Sequence, residues 1–252
     1  KFFCGPESFT ADLSAIIGEA PELKNYFVTA GLNSVGIIMG PGLGRMMAHW
    51  VMTGNPEVDI TGFNIDRLHS YQNNHDYRKH RTVESLGKVY KCHYPYESMK
   101  TARGAKKSAI YDRIKDQGAY FKDVSGWEGA DWFAPEGKEA RIEKHSWGKE
   151  DWFANWEKEH RAARENVILM DMSFMSKFMV QGRDAGTVLD HISTNDVNAE
   201  LNRVTYTPWL KENGTLEADL TVAKLTPEKF LVVVTDTMHR HAESWLKRHI
   251  PD

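Results

Sequence analysis

Residues 25–50 read Asn25-Tyr26-Phe27-Val28-Thr29-Ala30-Gly31-Leu32-Asn33-Ser34-Val35-Gly36-Ile37-Ile38-Met39-Gly40-Pro41-Gly42-Leu43-Gly44-Arg45-Met46-Met47-Ala48-His49-Trp50. A short apolar strand, Tyr26 to Ala30, runs into a loop with glycines at 31, 36, 40, 42 and 44. A helical pattern follows from Arg45 to Val51. A strand that turns through glycines into a helix N-terminus gathers free backbone N–H groups at one point. Such a point suits an anion or an electron-rich carbonyl edge. Glycine also lets a flat ligand approach the backbone, because no Cβ intervenes. A plain helix-packing loop is the competing account. The dinucleotide fingerprint is not met: Gly40, Gly42 and Gly44 give G-x-G-x-G, with no acidic residue about 20 positions on.

Outward from this stretch, three regions separate by composition. Residues 1–55 alternate short apolar strands with Gly/Pro turns, Lys1-Phe2-Phe3-Cys4 reading as the middle of a strand. They close with a helix at about 43–53, ended by Gly54-Asn55-Pro56. Residues 56–135 are polar and rich in Tyr, His, Arg and Lys, with helices expected over Asp66–Gln72, Tyr77–Val89 and Ser108–Gly118. Residues 136–150 are charged and aperiodic, the best linker candidate. Asp-Trp-Phe-Ala occurs at 131–134 and again at 151–154, too few copies for a solenoid. Beyond 151 the expectation is α+β. Helices are expected over Glu157–Asn166, from Gly182-Arg183-Asp184 to about Ile192, and over His239–His249. Strands are expected over Ile168–Met172, Lys177–Gln181, Thr205–Leu210, Glu217–Leu225 and Lys229–Thr235, with Asn213-Gly214 as a hairpin turn.

Two constellations carry chemistry by residue type. His75-x4-His80 and His239-x-His241 have metal-like spacing but are accompanied by no carboxylate or cysteine at suitable spacing, so a solvated face accounts for them better and no metal is expected. In the second, Glu217-Ala218-Asp219-Leu220-Thr221-Val222, alternation puts Glu217, Asp219 and Thr221 on one face and Ala218, Leu220 and Val222 on the other. The apolar set is a core face. The polar set is either the solvent side of an edge hairpin or a carboxylate held on a rigid strand within a cleft, able to bind a cyclic amine or act as a base.

The formal net charge of −3 argues against a nucleic-acid or membrane-surface partner recognised by bulk charge. Apolar content of 41% and charged content of 27% over 252 residues suit a globular chain of one large or two ordinary domains. Cys4 and Cys92 give no disulfide framework, which favours a reducing compartment. The chain opens inside an apolar run and stops directly after a helix, so it reads as an internal piece of a longer polypeptide.

Several separate motifs carry a family resemblance across essentially the whole chain. Gly5-Pro6-Glu7-Ser8-Phe9-Thr10, Ile17-Gly18-Glu19-Ala20-Pro21 and Ala30-Gly31-Leu32-Asn33-Ser34-Val35-Gly36-Ile37 resemble the end of the flavin domain of sarcosine and dimethylglycine dehydrogenases. Ala102-Arg103-Gly104, Ser108-x-Ile110-Tyr111-Asp112-Arg113, Gly126-Trp127-Glu128 and Trp132-Phe133 are similar to that family's central segment. Glu159-His160-Arg161-x-x-Arg164-Glu165, Asp171-Met172-Ser173-x-x-x-Lys177-Phe178, Asn195-Asp196-Val197 and Glu217 to Val222 resemble the front of its aminomethyltransferase-like folate module.

The resemblance implies an α+β, multidomain fragment. Residues 1–55 would be the C-terminal part of an FAD-dependent oxidoreductase domain and 56–135 a helical or irregular central domain. Residues 136–150 would be a linker and 151–252 the N-terminal part of the folate-binding domain. It implies a flavin-dependent enzyme that demethylates an N-methylated glycine, sarcosine favoured over dimethylglycine by the 62–72 segment, and passes the one-carbon unit to tetrahydrofolate. Gly31, Leu32, Asn33, Ser34, Val35, Gly36 and Ile37 would lie along the FAD ring system. Asp219 would be the folate-site carboxylate and catalytic group, with Tyr206 and Thr221 contacting folate. An electron acceptor such as an electron-transfer flavoprotein is implied, with no nucleic acid or membrane partner. The implied location is the mitochondrial matrix in a eukaryote or the cytoplasm in a bacterium. The dinucleotide fingerprint and the flavin-bearing histidine of the family are not in these residues, so the fragment alone is expected to be inactive. Two other classes remain: a non-catalytic regulator of the same architecture, like the pyruvate dehydrogenase phosphatase regulatory subunit, and a folate-binding module without redox chemistry.

Overall fold

The computed structural model describes residues 1–142 and 144–250, which fall into two compact units. One unit gathers residues 1–16, 29–57 and 70–174. The other gathers 17–28, 58–69 and the chain from 175 onward. Both are assembled from discontinuous segments. A short two-stranded ribbon, β1 (Ile16–Glu19) and β2 (Phe27–Ala30), opens the chain.

In the first unit, α1 spans Gly36–Thr53 and buries Leu43, Met46 and Trp50, one stripe at helical spacing. Gly54 ends it in the left-handed conformation, φ 81°, its N–H donating to the Trp50 carbonyl. Helix α2 (His75–Lys88) is capped by Asn74, whose side chain accepts from the Asp76 and Tyr77 amides. Its buried face is polar. Arg81 is paired with Asp123 at 3.0 Å and donates to the Thr101 carbonyl at 2.7 Å. Glu84 accepts from the Lys100 and Thr101 amides at 2.8 and 2.7 Å. Burial pushes the Glu84 carboxyl up, but the Thr101 and Lys100 hydrogen bonds outweigh it and hold it at about 2. The short α3 (Tyr111–Asp116) leads into a hairpin of β3 (Ala119–Val124) and β4 (Trp127–Phe133), and α4 (Phe153–Glu165) follows. The hairpin turns through Ser125 and Gly126, both at positive φ (49° and 84°), as a two-residue turn between twisted strands requires.

The second unit is built on a four-stranded antiparallel sheet of β5 (Ser176–Gln181), β6 (Val204–Leu210), β7 (Leu216–Thr226) and β8 (Lys229–Val234) in the order β5-β8-β7-β6. Helices α5 (Ala185–Ile192) and α6 (His239–His249) share one hydrophobic core with it. Leu189, Trp209, Val222, Phe230, Val232 and Val234 are fully buried there. Each such side chain contributes about 1.5–3 kcal/mol on burial. The Trp209 indole N–H donates to Ser193 Oγ at 3.1 Å, so its polar atom is satisfied.

Several expectations change. The loop expected up to Gly44 is helical from Gly36, with Pro41 inside the helix. Pro41 and Ile37 are both exposed, so water meets the carbonyl that Pro41 leaves unpaired, while the buried stripe holds the turn. Asp66–Gln72 is not one helix but two 3-10 turns, Ile65–Arg67 and Ser70–Asn73, separated by extended backbone at Leu68. Ile168–Met172 is irregular, because no described strand pairs with it. Lys1 to Cys4 is likewise not a strand, and Phe2 and Phe3 are exposed. The central region contains the β3–β4 hairpin rather than only helical and irregular chain. The two Asp-Trp-Phe-Ala copies adopt different structures, one in β4 and one entering α4, with Trp132 and Trp152 stacked at 6.1 Å.

Candidate functional site

The alternation of β7 places Ala218, Leu220 and Val222 in the core, at 4, 3 and 1% exposure. Glu217, Asp219 and Thr221 therefore share the opposite face. Strand register sets Tyr206 of β6 opposite Thr221, so the Tyr206 phenol reaches the next position along, donating to Asp219 Oδ2 at 3.2 Å. That hydrogen bond and the carboxylate's charge raise the Tyr206 phenol, keeping it protonated and donating. Tyr206 is 60% exposed, so its ring presents a flat face beside a fixed carboxylate. Tyr206, Asp219 and Thr221 are thus gathered on one outer sheet surface. A ring amine placed on that surface would find a stacking face and an acceptor together.

Glu217, one step along the same face, is engaged differently. Its carboxylate lies 2.6 Å from His241 Nε2 and 3.3 Å from Lys211 Nζ. The other nitrogen of His241, Nδ1, lies 2.6 Å from Asp66 Oδ2. Burial alone pushes the imidazole down, but hydrogen bonds and charge from Asp66 and Glu217 outweigh it and hold it up at about 9. Burial likewise pushes the Glu217 carboxyl up, and His241 and Lys211 outweigh it and hold it below the usual range. His241 is therefore no solvated-face residue. The local sequence does not show the carboxylates that contact it, because Asp66 is 175 positions away and Glu217 is on strand β7. The neighbouring His239 stacks on Phe178 at 5.0 Å.

At the other candidate site, Gly31 to Val35 form a tight turn ahead of α1. Gly31 sits at φ 64°, and a Cβ there would come within 2.5 Å of Thr10 Cγ2. Glycine is thus required at 31 by its own chain. Asn33 and Ser34 also have positive φ, 49° and 70°. The buried Asn33 side chain is fully engaged, accepting from the Thr10 amide at 2.8 Å and donating to the Gly31 carbonyl at 2.7 Å. Ser34 Oγ donates to Glu7 at 2.6 Å. Val35 is the N-cap of α1, with no side-chain cap and no acidic residue in the first turn. Gly36 and Ile37 open that turn, Ile37 98% exposed. Cβ atoms at Gly40, Gly42 and Gly44 would meet nothing within 4 Å; Gly40 and Gly44, four residues apart, leave one bare strip on the helix, and Gly42 lies on its other side. An N-terminus with no side-chain cap and no acidic residue in its first turn, the nearby Glu7 carboxylate being engaged by Ser34, fits the electron-rich edge of a flavin, and the exposed ring of Tyr206 beside Asp219 fits a folate.

Comparison with known proteins follows this geometry. The "FAD dependent oxidoreductase central domain" family matches residues 53–108, and the "GCVT N-terminal domain" family matches residues 110–252. The 4-methylaminobutanoate oxidase (formaldehyde-forming) of Paenarthrobacter nicotinovorans is 38% identical, covering 98% of this chain and 30% of its own. The mitochondrial pyruvate dehydrogenase phosphatase regulatory subunit of Mus musculus is 31% identical, covering 98% of this chain and 28% of its own. The mitochondrial sarcosine dehydrogenase of Homo sapiens is 34% identical, covering 89% and 27%; the human dimethylglycine dehydrogenase is 25% identical, covering 96% and 28%. The chain spans under a third of the length of these relatives. The cofactors of this pairing of modules are FAD and tetrahydrofolate. With a GCVT N-terminal domain match over more than half its length, directly after the oxidoreductase central domain, the chain belongs to the sarcosine and dimethylglycine dehydrogenase family.

Proposed function

We propose that this chain works within a longer flavoprotein that oxidatively removes a methyl group from an N-methylated glycine and delivers the one-carbon unit to tetrahydrofolate. FAD, when bound, supplies the two-electron oxidation of the N-methyl carbon. The backbone of Gly31, Leu32, Asn33, Ser34, Val35, Gly36 and Ile37 would hold it, and the first-turn N–H groups of α1 would supply positive potential for its electron-rich edge. Only the backbone of Asn33 is available for this, since its side chain is committed to Thr10 and Gly31. On the folate side, Asp219 orients the folate amine and takes its proton as the methylene bridge forms. Tyr206 holds that carboxylate and offers its ring as a stacking face, and Thr221 lines the same surface. The observation that carries the reading is the hydrogen-bonded Tyr206–Asp219 pair on the open face of a sheet in the GCVT-matched half.

Between the two N-methylated glycines sarcosine is favoured, supported by 34% identity to the human sarcosine dehydrogenase against 25% to the dimethylglycine enzyme, while the 38% identity to the 4-methylaminobutanoate oxidase makes that longer amine the competing substrate. The test is stopped-flow flavin bleaching in the full-length flavoprotein with sarcosine, dimethylglycine and 4-methylaminobutanoate. Bleaching fastest with sarcosine, with formaldehyde replaced by methylene-tetrahydrofolate once folate is added, is expected. Bleaching only with 4-methylaminobutanoate keeps the chemistry and moves the substrate. No bleaching with any amine moves the reading to a regulator, which the 31% identity to the phosphatase regulatory subunit supports.

A further inference from the structure

The second unit contains residues 58–69, which overlap the oxidoreductase match, together with the sheet and helices of the GCVT match. Helix α6 holds these outlying pieces with cations. His241 binds Asp66 in the 3-10 turn Ile65–Arg67. Arg240 donates to the Leu68 carbonyl at 2.6 Å and pairs with Glu22. Arg248 lies 3.4 Å from Glu19. The side chains of Asp66, His241 and Glu217 are 10, 19 and 5% exposed, so this is an interior contact rather than a surface pair.

We propose that α6 is a cationic clasp that locks the 58–69 segment of the flavin-side module onto the folate-side sheet, and that protonated His241 is its central residue. The charges require the proton. Asp66 and Glu217 bring two carboxylates, and Lys211 on Glu217 brings one ammonium. Only an imidazolium makes the buried set neutral, and only an imidazolium donates from both ring nitrogens to two acceptors. The remaining groups agree. Asn64 donates to Asp66 Oδ2 at 2.8 Å, and the Asp59 carboxyl is held below its usual range by Thr61 hydrogen bonds, with smaller contributions from the Lys211 and His241 charges.

The clasp also makes His241 a positioning residue. It fixes Glu217 two residues from Asp219 on the same strand face, a consequence that rests on the function proposed above. The clasp itself does not, and its test needs no turnover.

Hydrogen–deuterium exchange on the whole chain, scored as protection factors across pH, reads the 58–69 segment directly. In the unaltered chain, protection of 58–69 should fall at least tenfold as pH rises through about 9, while β7 and β8 stay protected. His241→Gln should show that loss already at pH 7. His241→Lys keeps a cation, so it should retain protection and move the loss to higher pH, because an ammonium holds its proton to about 10.4. Should His241→Gln fail to fold, Asp66→Asn serves instead: it leaves Glu217 paired with His241 and should loosen 58–69 alone. Unchanged protection in His241→Gln, or in Asp66→Asn where His241→Gln does not fold, overturns the clasp, as does His241→Lys behaving like His241→Gln. Flavin bleaching is independent of these outcomes, so failure of the clasp and failure of the proposed function are told apart.

Discussion

Asp219 and Tyr206 sit on adjacent strands with one hydrogen bond between them, so their substitution separates the two half-reactions proposed here. Asp219→Asn in the full-length flavoprotein should leave amine-driven flavin bleaching intact and slow methylene-tetrahydrofolate formation. A loss of ~2.7–4 kcal/mol of transition-state stabilisation corresponds to ~10²–10³ in that rate. Free formaldehyde should appear in its place, measured by trapping; equal loss of both half-reactions would make Asp219 structural. Tyr206→Phe should have the same direction and a smaller effect, since the carboxylate stays. The buried ions set the pH dependence of stability. His241 is raised from its ordinary value to about 9, so its contribution is complete below about 6.5 and disappears as pH rises through 9. Glu84 is lowered to about 2, so its contribution is present above about 4.5 and disappears as pH falls through 2. Urea midpoints across pH should fall at both ends, and His241→Gln should remove the alkaline limb at a cost of about 3–5 kcal/mol at neutral pH. Asp219 was legible in the sequence because strand alternation is local, and Ala218, Leu220 and Val222 announce which face is the core. His241 was not, because its meaning lies in Asp66, 175 residues away.

Among the elements, the strands after residue 175 and α6 follow the sequence pattern within a residue or two, since each has its own period and its own breaker, while α5 begins at Ala185, three residues after Gly182. The β3–β4 hairpin is weakly legible apart from its Ser125-Gly126 turn, because both strands are half-buried on both faces and show no clean alternation. Helix α1 starts earlier than its glycines suggest, because packing of Leu43, Met46 and Trp50 outweighs the propensity cost of Gly40, Pro41, Gly42 and Gly44. That balance is testable. A Cβ at Gly40, Gly42 or Gly44 meets open space, so Gly→Ala at each should stabilise the apo chain by about 0.5–1 kcal/mol. If the bare strip of Gly40 and Gly44 exists for close approach of the flavin, the Gly40→Ala/Gly44→Ala variant of the full-length protein should bind flavin more weakly despite a higher apo Tm, while Gly42→Ala on the other side of the helix should not. Calorimetry with flavin titration measures both, and unchanged flavin affinity would leave these glycines without a binding role.

At the scale of the whole molecule, neither compact unit is a contiguous run of sequence, and no local pattern announces that residues 58–69 leave their neighbours to join a sheet more than 100 positions later. The same arrangement leaves apolar surface uncovered. Val167, Leu169 and Met170 are 95, 92 and 65% exposed in a segment that pairs with no described strand. Ile37 and Ile38 are 98 and 82% exposed at the start of α1. Contiguous exposure of this kind marks surface that a partner covers. The 252 residues also contain no G-x-G-x-x-G phosphate-binding turn, so under the proposed function the backbone of 31–37 would have to hold a flavin without anchoring its phosphates. The isolated chain should therefore purify colourless and bind a hydrophobic dye such as ANS while its near-ultraviolet circular dichroism stays native-like. The full-length flavoprotein should carry one flavin per chain and bind less dye per molecule, since the same segments are then covered. Stoichiometric flavin absorbance in the isolated chain would show that residues 31–37 suffice for binding, and would move the ring site wholly into this piece. Equal dye binding by both proteins would show that the 167–170 run faces solvent in the intact protein as well.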